Sequence, residues 1–315
     1  MIEMLAVALA PIFFGLLLGY FAGVRKIVDN INVGVLMSFV MTFALPCALF
    51  LVIVKVQRAV LWSQGRTIVL LVIAYMLIFA ATYYYGRKVL RQSPSDAAVL
   101  SMTVSFPNIT AVGIPLLDGV YGSQTGILIA VSLAIGSPTI SPVGLAILED
   151  ATPSGHARRP FLRWGRAFLR AARRPVIWAP AAGLLAVLCN VGLPVYVQRS
   201  LNVMGAATAG GALFLTGLII SAQRFSLNLS VLLCGLAKNV VQPAICFALA
   251  LAFGMPVETL RWVVLITAIP CGFFGIVFGK GFDATPRSAS SSLAFSYLLS
   301  VISLAGWIVL LGRLR

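Results

Sequence analysis

SFPNITAVGIPLL, residues 105 to 117, lies inside an apolar run long enough to cross a bilayer, yet holds two prolines, a glycine, an asparagine and a threonine. A continuous helix does not tolerate this. Pro107 has no N–H for the carbonyl of Thr103 and pushes Phe106 out of the α region. Pro115 acts in the same way on Ala111, and Gly113 loosens the chain between them. Broken backbone at membrane depth survives only where protein or a wet cavity satisfies its polar groups, so the break predicts an inward-facing site. Asn108 and Thr110 stand beside it, able to bind a ligand where backbone groups are already free. A second interruption, AIPCGFFGIVFG at residues 268 to 279, repeats the pattern, and Pro270 follows Pro107 by 270 − 107 = 163 positions.

The surroundings of both breaks are those of a membrane protein. Hydrophobic residues make up 60% of the 315, charged residues only 10%, and the mean hydropathy is +1.03; a soluble domain is nearer a quarter charged. The net charge of +15 resides in the connections between apolar runs, without the aromatic interleaving of an RNA-binding surface. It reads as positive-inside bias, with no nucleic acid as partner. The five cysteines, Cys47, Cys189, Cys234, Cys246 and Cys271, are far apart inside apolar runs and form no CxxC or zinc spacing. They predict no disulfide framework, no metal and no cofactor.

Ten spans are expected, at about Leu5–Phe21, Ile31–Val54, Thr67–Tyr85, Ala97–Leu117, Thr125–Leu148, Pro175–Val195, Val203–Ala222, Leu229–Phe253, Leu260–Phe278 and Ala289–Leu311. MIEML carries no basic residue ahead of the first run, whereas Arg25 and Lys26 follow it, which predicts a first span entering from outside and no cleaved signal peptide. With the N-terminus outside, the inner side holds Arg25, Lys26, Arg87, Lys88, Arg91, seven arginines between 158 and 174, Arg224, Lys280 and Arg287, fifteen in all. The outer side holds Lys55, Arg58, Arg66, Arg199, Arg261, Arg313 and Arg315, seven in all. That asymmetry predicts both termini on the outer face of the cytoplasmic (inner) membrane. The connection 149–174 reads as an arginine-rich cytoplasmic loop, either a short helix on the lipid surface or a stop signal fixing topology. His156, the sole histidine, falls within it.

That loop divides the chain into 1–148 and 175–315, two halves of five spans each. ALFLVI at Ala48–Ile53 recurs as ALFLTG at Ala212–Gly217, an offset of 212 − 48 = 164 that agrees with the proline offset. An odd number of spans per half inverts the second copy. Inverted repeats with a broken helix in each half point to a secondary transporter that binds its cargo near the midplane.

The chemistry available there is cationic. Half-helix N-termini after Pro107 and Pro270 suit an anion. Lys238 lies deep in the eighth span, too deep to snorkel, with Gln242 one turn on along the same face. No carboxylate stands at mid-depth to carry a proton, so an organic anion is the expected cargo. An intramembrane enzyme is disfavoured: no histidine, aspartate pair or HExxH stands ready to activate a nucleophile. Ser101, Ser105, Ser132, Ser137 and Ser141 read as packing or cavity-lining residues. A passive anion channel or uniporter is the alternative.

PNITAVGIPLLDGVYG, from Pro107, resembles the PN-T-x-x-x-GIPLL-x-x-x-YG signature of the auxin efflux carrier family, and Ile269–Lys280 is similar to that family's second crossover. The resemblance covers nearly the whole chain. It implies an all-α five-plus-five inverted repeat with crossed fourth and ninth helices, and a scaffold of helices one, two, six and seven that forms a homodimer. It also implies a carboxylate-bearing substrate, as in bacterial carriers described as malonate transporters. By the same resemblance Pro107, Asn108, Gly113, Pro115, Pro270, Gly272 and Gly275 are crossover residues, with Asn108 as the foremost substrate contact. Cys271, which stands where plant members place a glutamine, is a further candidate substrate contact, with Thr110, Lys238 and Gln242.

Overall fold

A computed structural model describes residues 2–56, 58, 64–121, 126–151, 169, 172–222 and 226–314. The arginine-rich segment 152–168 and His156 lie outside the described residues. Among those described the chain is all-helical. In order come α1 (Ile2–Val24), α2 (Gly34–Val54), α3 (Gly65–Lys88), α4 (Pro94–Ser105), α5 (Ile114–Tyr121) and α6 (Gly126–Asp150). They are followed by α7 (Pro175–Leu188), α8 (Val195–Ser221), α9 (Leu229–Ala252), α10 (Val257–Ala268), α11 (Phe274–Lys280) and α12 (Arg287–Gly312).

Five of these, α2, α3, α8, α9 and α12, are long and apolar enough to cross a membrane by themselves. The expected fourth and ninth spans are each two short helices, α4 with α5 and α10 with α11. The expected sixth and seventh spans also shift. α7 stops at Leu188, because Asn190 takes a left-handed φ of 55°. Its neighbours then bond backwards, Asn190 N to Val187 O at 3.1 Å and Val191 N to Ala186 O at 2.8 Å, which closes the helix end. Pro194 caps the start of α8 at once, so the seventh helix begins eight residues ahead of the expected Val203 (203 − 195 = 8). Outward faces carry Phe14, Leu17, Phe21, Val203 and Ile302 exposed, the surface that lipid would cover.

Among the described residues three helical stretches are π-helical: Phe39–Ala44 in α2, Ile109–Gly113 before α5, and Ala237–Val241 in α9. Each runs directly into a residue followed by proline, namely Pro46, Pro115 and Pro243. A proline ring clashes with the carbonyl four residues back, and that residue (Thr42, Ala111 or Asn239) falls inside the wider π turn every time. Asn239 O, freed in this way, accepts from Trp307 Nε1 at 3.0 Å. Pro115 therefore does not make the second rupture expected of it; the π turn absorbs its missing N–H and the helix continues.

α8 packs on α1 and on α2, and α2 packs on α7. Close approach of α1 and α8 depends on a ladder of glycines, Gly15, Gly19 and Gly23 on one side against Leu213, Gly217 and Ser221 on the other. A Cβ on Gly217 would meet Leu16 O and Tyr20 N of α1. Gly217→Ala is accordingly expected to cost about 1–3 kcal/mol, the usual range for overpacking, read as a lower thermal midpoint of the purified protein. An unchanged midpoint would show that the two backbones are not in contact there.

Candidate functional site

α4 starts on Ser93, whose hydroxyl accepts from Asp96 N at 3.1 Å, with Pro94 in the first turn. It ends where the sequence demands. Phe106 is extended (φ −100°, ψ 118°), as a residue before proline prefers. α10 ends in the same way, with Ile269 at φ −57° and ψ 140° ahead of Pro270. The two ruptures then pair with each other. Asn108 N donates to Pro270 O at 3.0 Å and Gly272 N donates to Phe106 O at 2.7 Å, an antiparallel bridge centred on Pro107 and Cys271. Each break supplies the backbone partners the other lacks, which answers how such segments are tolerated in an apolar interior.

Glycine permits this proximity. A Cβ on Gly272 would lie 2.8 Å from Phe106 O, and one on Gly275 would run into Val99 O and Thr103 of α4. Gly113 is tight against Ile109 and Ile269, each at 3.0 Å from its would-be Cβ. Aromatic rings close the rest: Phe106 meets Tyr75 edge-on at 6.0 Å and Phe274 at 5.2 Å.

Side chains approach the crossing from two sides. From α9, Lys238 donates to Thr267 O at 2.8 Å and to Gln242 Oε1 at 2.6 Å, while Gln242 Nε2 donates to Ser105 O at 2.8 Å. Both residues have 0% exposure. Same-face placement of Lys238 and Gln242 was legible in the sequence, but their polar ends grip the last carbonyls of α10 and α4 and do not line the void described below. Beside them Asn239 and Ser296 form a relay: Ser296 Oγ donates to Asn239 Oδ1 at 2.6 Å and accepts from Cys271 N at 3.0 Å. Cys271 is buried, and its backbone is the part held by that relay.

On the other side lies a small void. Its walls are Val40 and Leu45 of α2, Thr208 and Ala212 of α8, and Asn108, Phe273 and Phe274 of the crossing, and it is too tight to hold a water molecule. Asn108, 1% exposed, is steadied by donating from Nδ2 to Tyr297 OH at 2.7 Å. Thr208, also 1% exposed, has a hydroxyl with no hydrogen-bond partner. Thr216, two turns on in the same helix, bonds back to Ala212 O at 2.7 Å in the ordinary helical way. An unpaired buried hydroxyl costs about 1–3 kcal/mol, so Thr208 marks a place where a partner belongs. Sequence reading passed over it because it sits among Gly205, Ala206, Ala207 and Ala209, where a threonine looks like helix packing. Thr110 is described in its backbone alone, within the π turn after Asn108.

Outside the membrane-spanning helices, the connection between α1 and α2 is ordered by Asp29, whose carboxylate accepts from Ile31 N at 2.8 Å and Asn32 N at 3.2 Å. Those bonds, Ile31 first, hold its carboxyl below the usual range. Lys280, at the end of α11, reaches across to Ile31 O at 3.3 Å.

Two broken helices joined at their breaks, with buried polar residues beside them, are an arrangement expected of a membrane transporter. Residues 4–308 match the family described as membrane transport protein, and the chain belongs to that family of transporters. It is 28% identical over 302 residues to "Uncharacterized transporter YfdV" of Escherichia coli (strain K12), covering 95% of each chain. It is 25% identical over 315 residues to "Putative malonate transporter" of Rhizobium meliloti (strain 1021), covering 95% of this chain and 93% of the other. Over 140 residues it is 27% identical to "Auxin efflux carrier component 3a" of Oryza sativa subsp. japonica, 42% of this chain and 22% of that one. The relationship read from the PNITAVGIPLL motif is therefore found at the level of the whole chain.

Proposed function

We propose that this protein is a secondary transporter of the cytoplasmic membrane that moves a small carboxylate by alternating access. The observation that carries the reading is the pair of buried polar residues, Asn108 and Thr208 with its unpartnered hydroxyl, in the walls of one small void beside the joined breaks. A carboxylate would accept from both. Apolar and aromatic walls from Leu45, Phe273 and Phe274 suit a small hydrocarbon body. The names borne by relatives, malonate and auxin, both denote carboxylates. Thr110, one step into the helical stretch that starts after the first break, adds a hydroxyl in this reading, and the partial positive charge of that helix end favours an anion. Lys238, behind the crossing with Gln242, adds a positive field without touching the cargo. Cys271 contributes its backbone.

The ten-span arrangement belongs to the same proposal: two inverted halves, 1–148 and 175–315, joined by the cytoplasmic loop 149–174, with both termini outside. α1, α2, α7 and α8 form the scaffold and the dimer contact; α3–α6 and α9–α12 carry the site past it. The void is walled by α2 and α8 on one side and by the crossing on the other, so relative movement of the two groups opens it.

Purified protein screened by thermal shift against mono- and dicarboxylates, malonate first, followed by uptake and counterflow in proteoliposomes, tests the reading. Saturable uptake with counterflow is expected. Uptake without saturation or counterflow would make the protein a channel, and no response to any carboxylate would remove the anion.

A sharper check is Thr208→Val, which keeps the shape and removes the hydroxyl. Folded stability is expected to stay level or rise, since an orphaned group is lost, while carboxylate affinity falls by about ten- to a hundredfold, the worth of one hydrogen bond to a charged group. Unchanged affinity would take Thr208 out of the site.

A further inference from the structure

We infer that Lys238 is a resident cation standing where a coupling ion would otherwise bind, and that it makes this carrier independent of sodium. In transporters built on broken helices, half-helix C-termini with their freed carbonyls coordinate the coupling cation. α4 and α10 are two such half-helices. Their last turns present Ser105 O and Thr267 O to the same buried spot behind the crossing, at the negative ends of both helix dipoles. That spot is occupied. The Lys238 ammonium donates to Thr267 O at 2.8 Å, and through Gln242, 2.6 Å away, it is linked to Ser105 O at 2.8 Å.

The local sequence leaves nothing else to hold a metal ion there. No aspartate or glutamate occurs in residues 97–117, 229–252 or 259–282, which cover α4 and α10 beyond their first turns, both breaks, the first turn of α5, all of α11 and all of α9; Asp118 lies further along α5, away from the break. A bare sodium ion in this place would have carbonyls and one amide but no carboxylate. A tethered ammonium brings the charge with it, at the ~2.5 kcal/mol or more that an intramembrane lysine costs on insertion scales. The π turn at Ala237–Val241 supports the arrangement, because Lys238 sits within it and Gln242 directly after. This inference holds whichever anion is carried.

The test uses stability, so it does not depend on knowing the cargo. Thermal midpoints of purified protein are compared in sodium, potassium, lithium, ethylammonium and N-methylglucamine chlorides at equal ionic strength. The wild type is expected to be indifferent to the cation. Lys238→Ala, which opens the position, is expected to melt lower and to recover by a few degrees in ethylammonium or in one of the alkali cations. A wild-type midpoint raised specifically by sodium overturns the proposal, as does a folded Lys238→Ala that is indifferent to all five salts. Should Lys238→Ala fail to accumulate, Lys238→Arg is expected to restore folded protein and Lys238→Met is not. Lys238→Met keeps the stem without the charge, and its accumulation at wild-type level would assign the lysine to packing.

Discussion

Asn108→Ala is expected to reduce carboxylate uptake to background while the protein remains folded in the membrane. The separation of effects follows from which part of the residue does what. Its backbone N–H, bonded to Pro270 O at 3.0 Å, joins the two breaks and survives the substitution. Its side chain donates to Tyr297 OH and lines the void. Truncation leaves one buried phenol oxygen without its donor, at about 1–3 kcal/mol, which a folded membrane protein of this size withstands. Losing a hydrogen bond to a charged carboxylate costs about 1.5–3 kcal/mol, or about ten- to a hundredfold in affinity. Proteoliposome uptake measured beside the thermal midpoint checks both halves. Undiminished uptake would remove Asn108 from the site; aggregated protein would make it a structural residue.

Gly275→Val is expected to do the reverse, removing folded protein altogether. A Cβ here meets Val99 O and Thr103 on α4, with Thr103 N only 2.7 Å away. These are backbone atoms of a helix that cannot retreat, since α4 is fixed to the second break at Phe106 and packed against α3 and α6. The cost should exceed the ~3 kcal/mol of ordinary overpacking. Gly210→Val serves as the control, because a Cβ there meets nothing within 4 Å. Membrane-fraction abundance of the two variants is the measurement. Equal abundance would mean that α11 does not lie on α4.

Much of this could be read from residues alone. Proline after Phe106 and after Ile269 dictated where the helices stop, and the motif after Pro107 indicated the family. Spacing put Lys238 and Gln242 on one face, and they are 2.6 Å apart. What they face was not legible, since it depends on Thr267 O and Ser105 O arriving from segments 29 and 137 positions away. The mutual satisfaction of the breaks was hidden for the same reason: backbone pairing leaves no side-chain signature. Thr208 was missed because an unpaired hydroxyl is visible only once every neighbour is placed. The Gly15, Gly19, Gly23 ladder is legible as a small residue every fourth position in an apolar run, although its partner helix is not.

The knot of peptide bonds between Phe106–Asn108 and Pro270–Gly272 also restricts how the machine can work. Parting those strands in an apolar setting forfeits about 4–6 kcal/mol for each bond, so neither interrupted helix can straighten, slip or swing by itself. In the proposed alternating-access cycle they would travel as one piece. The bending then falls on the joints around it, and three of those joints already turn through left-handed residues: Arg91 ahead of α4, Gly254 ahead of α10 and Asp283 behind α11. In the carrier proposed above, a stiff centre of this kind would leave the bending to the corners around it.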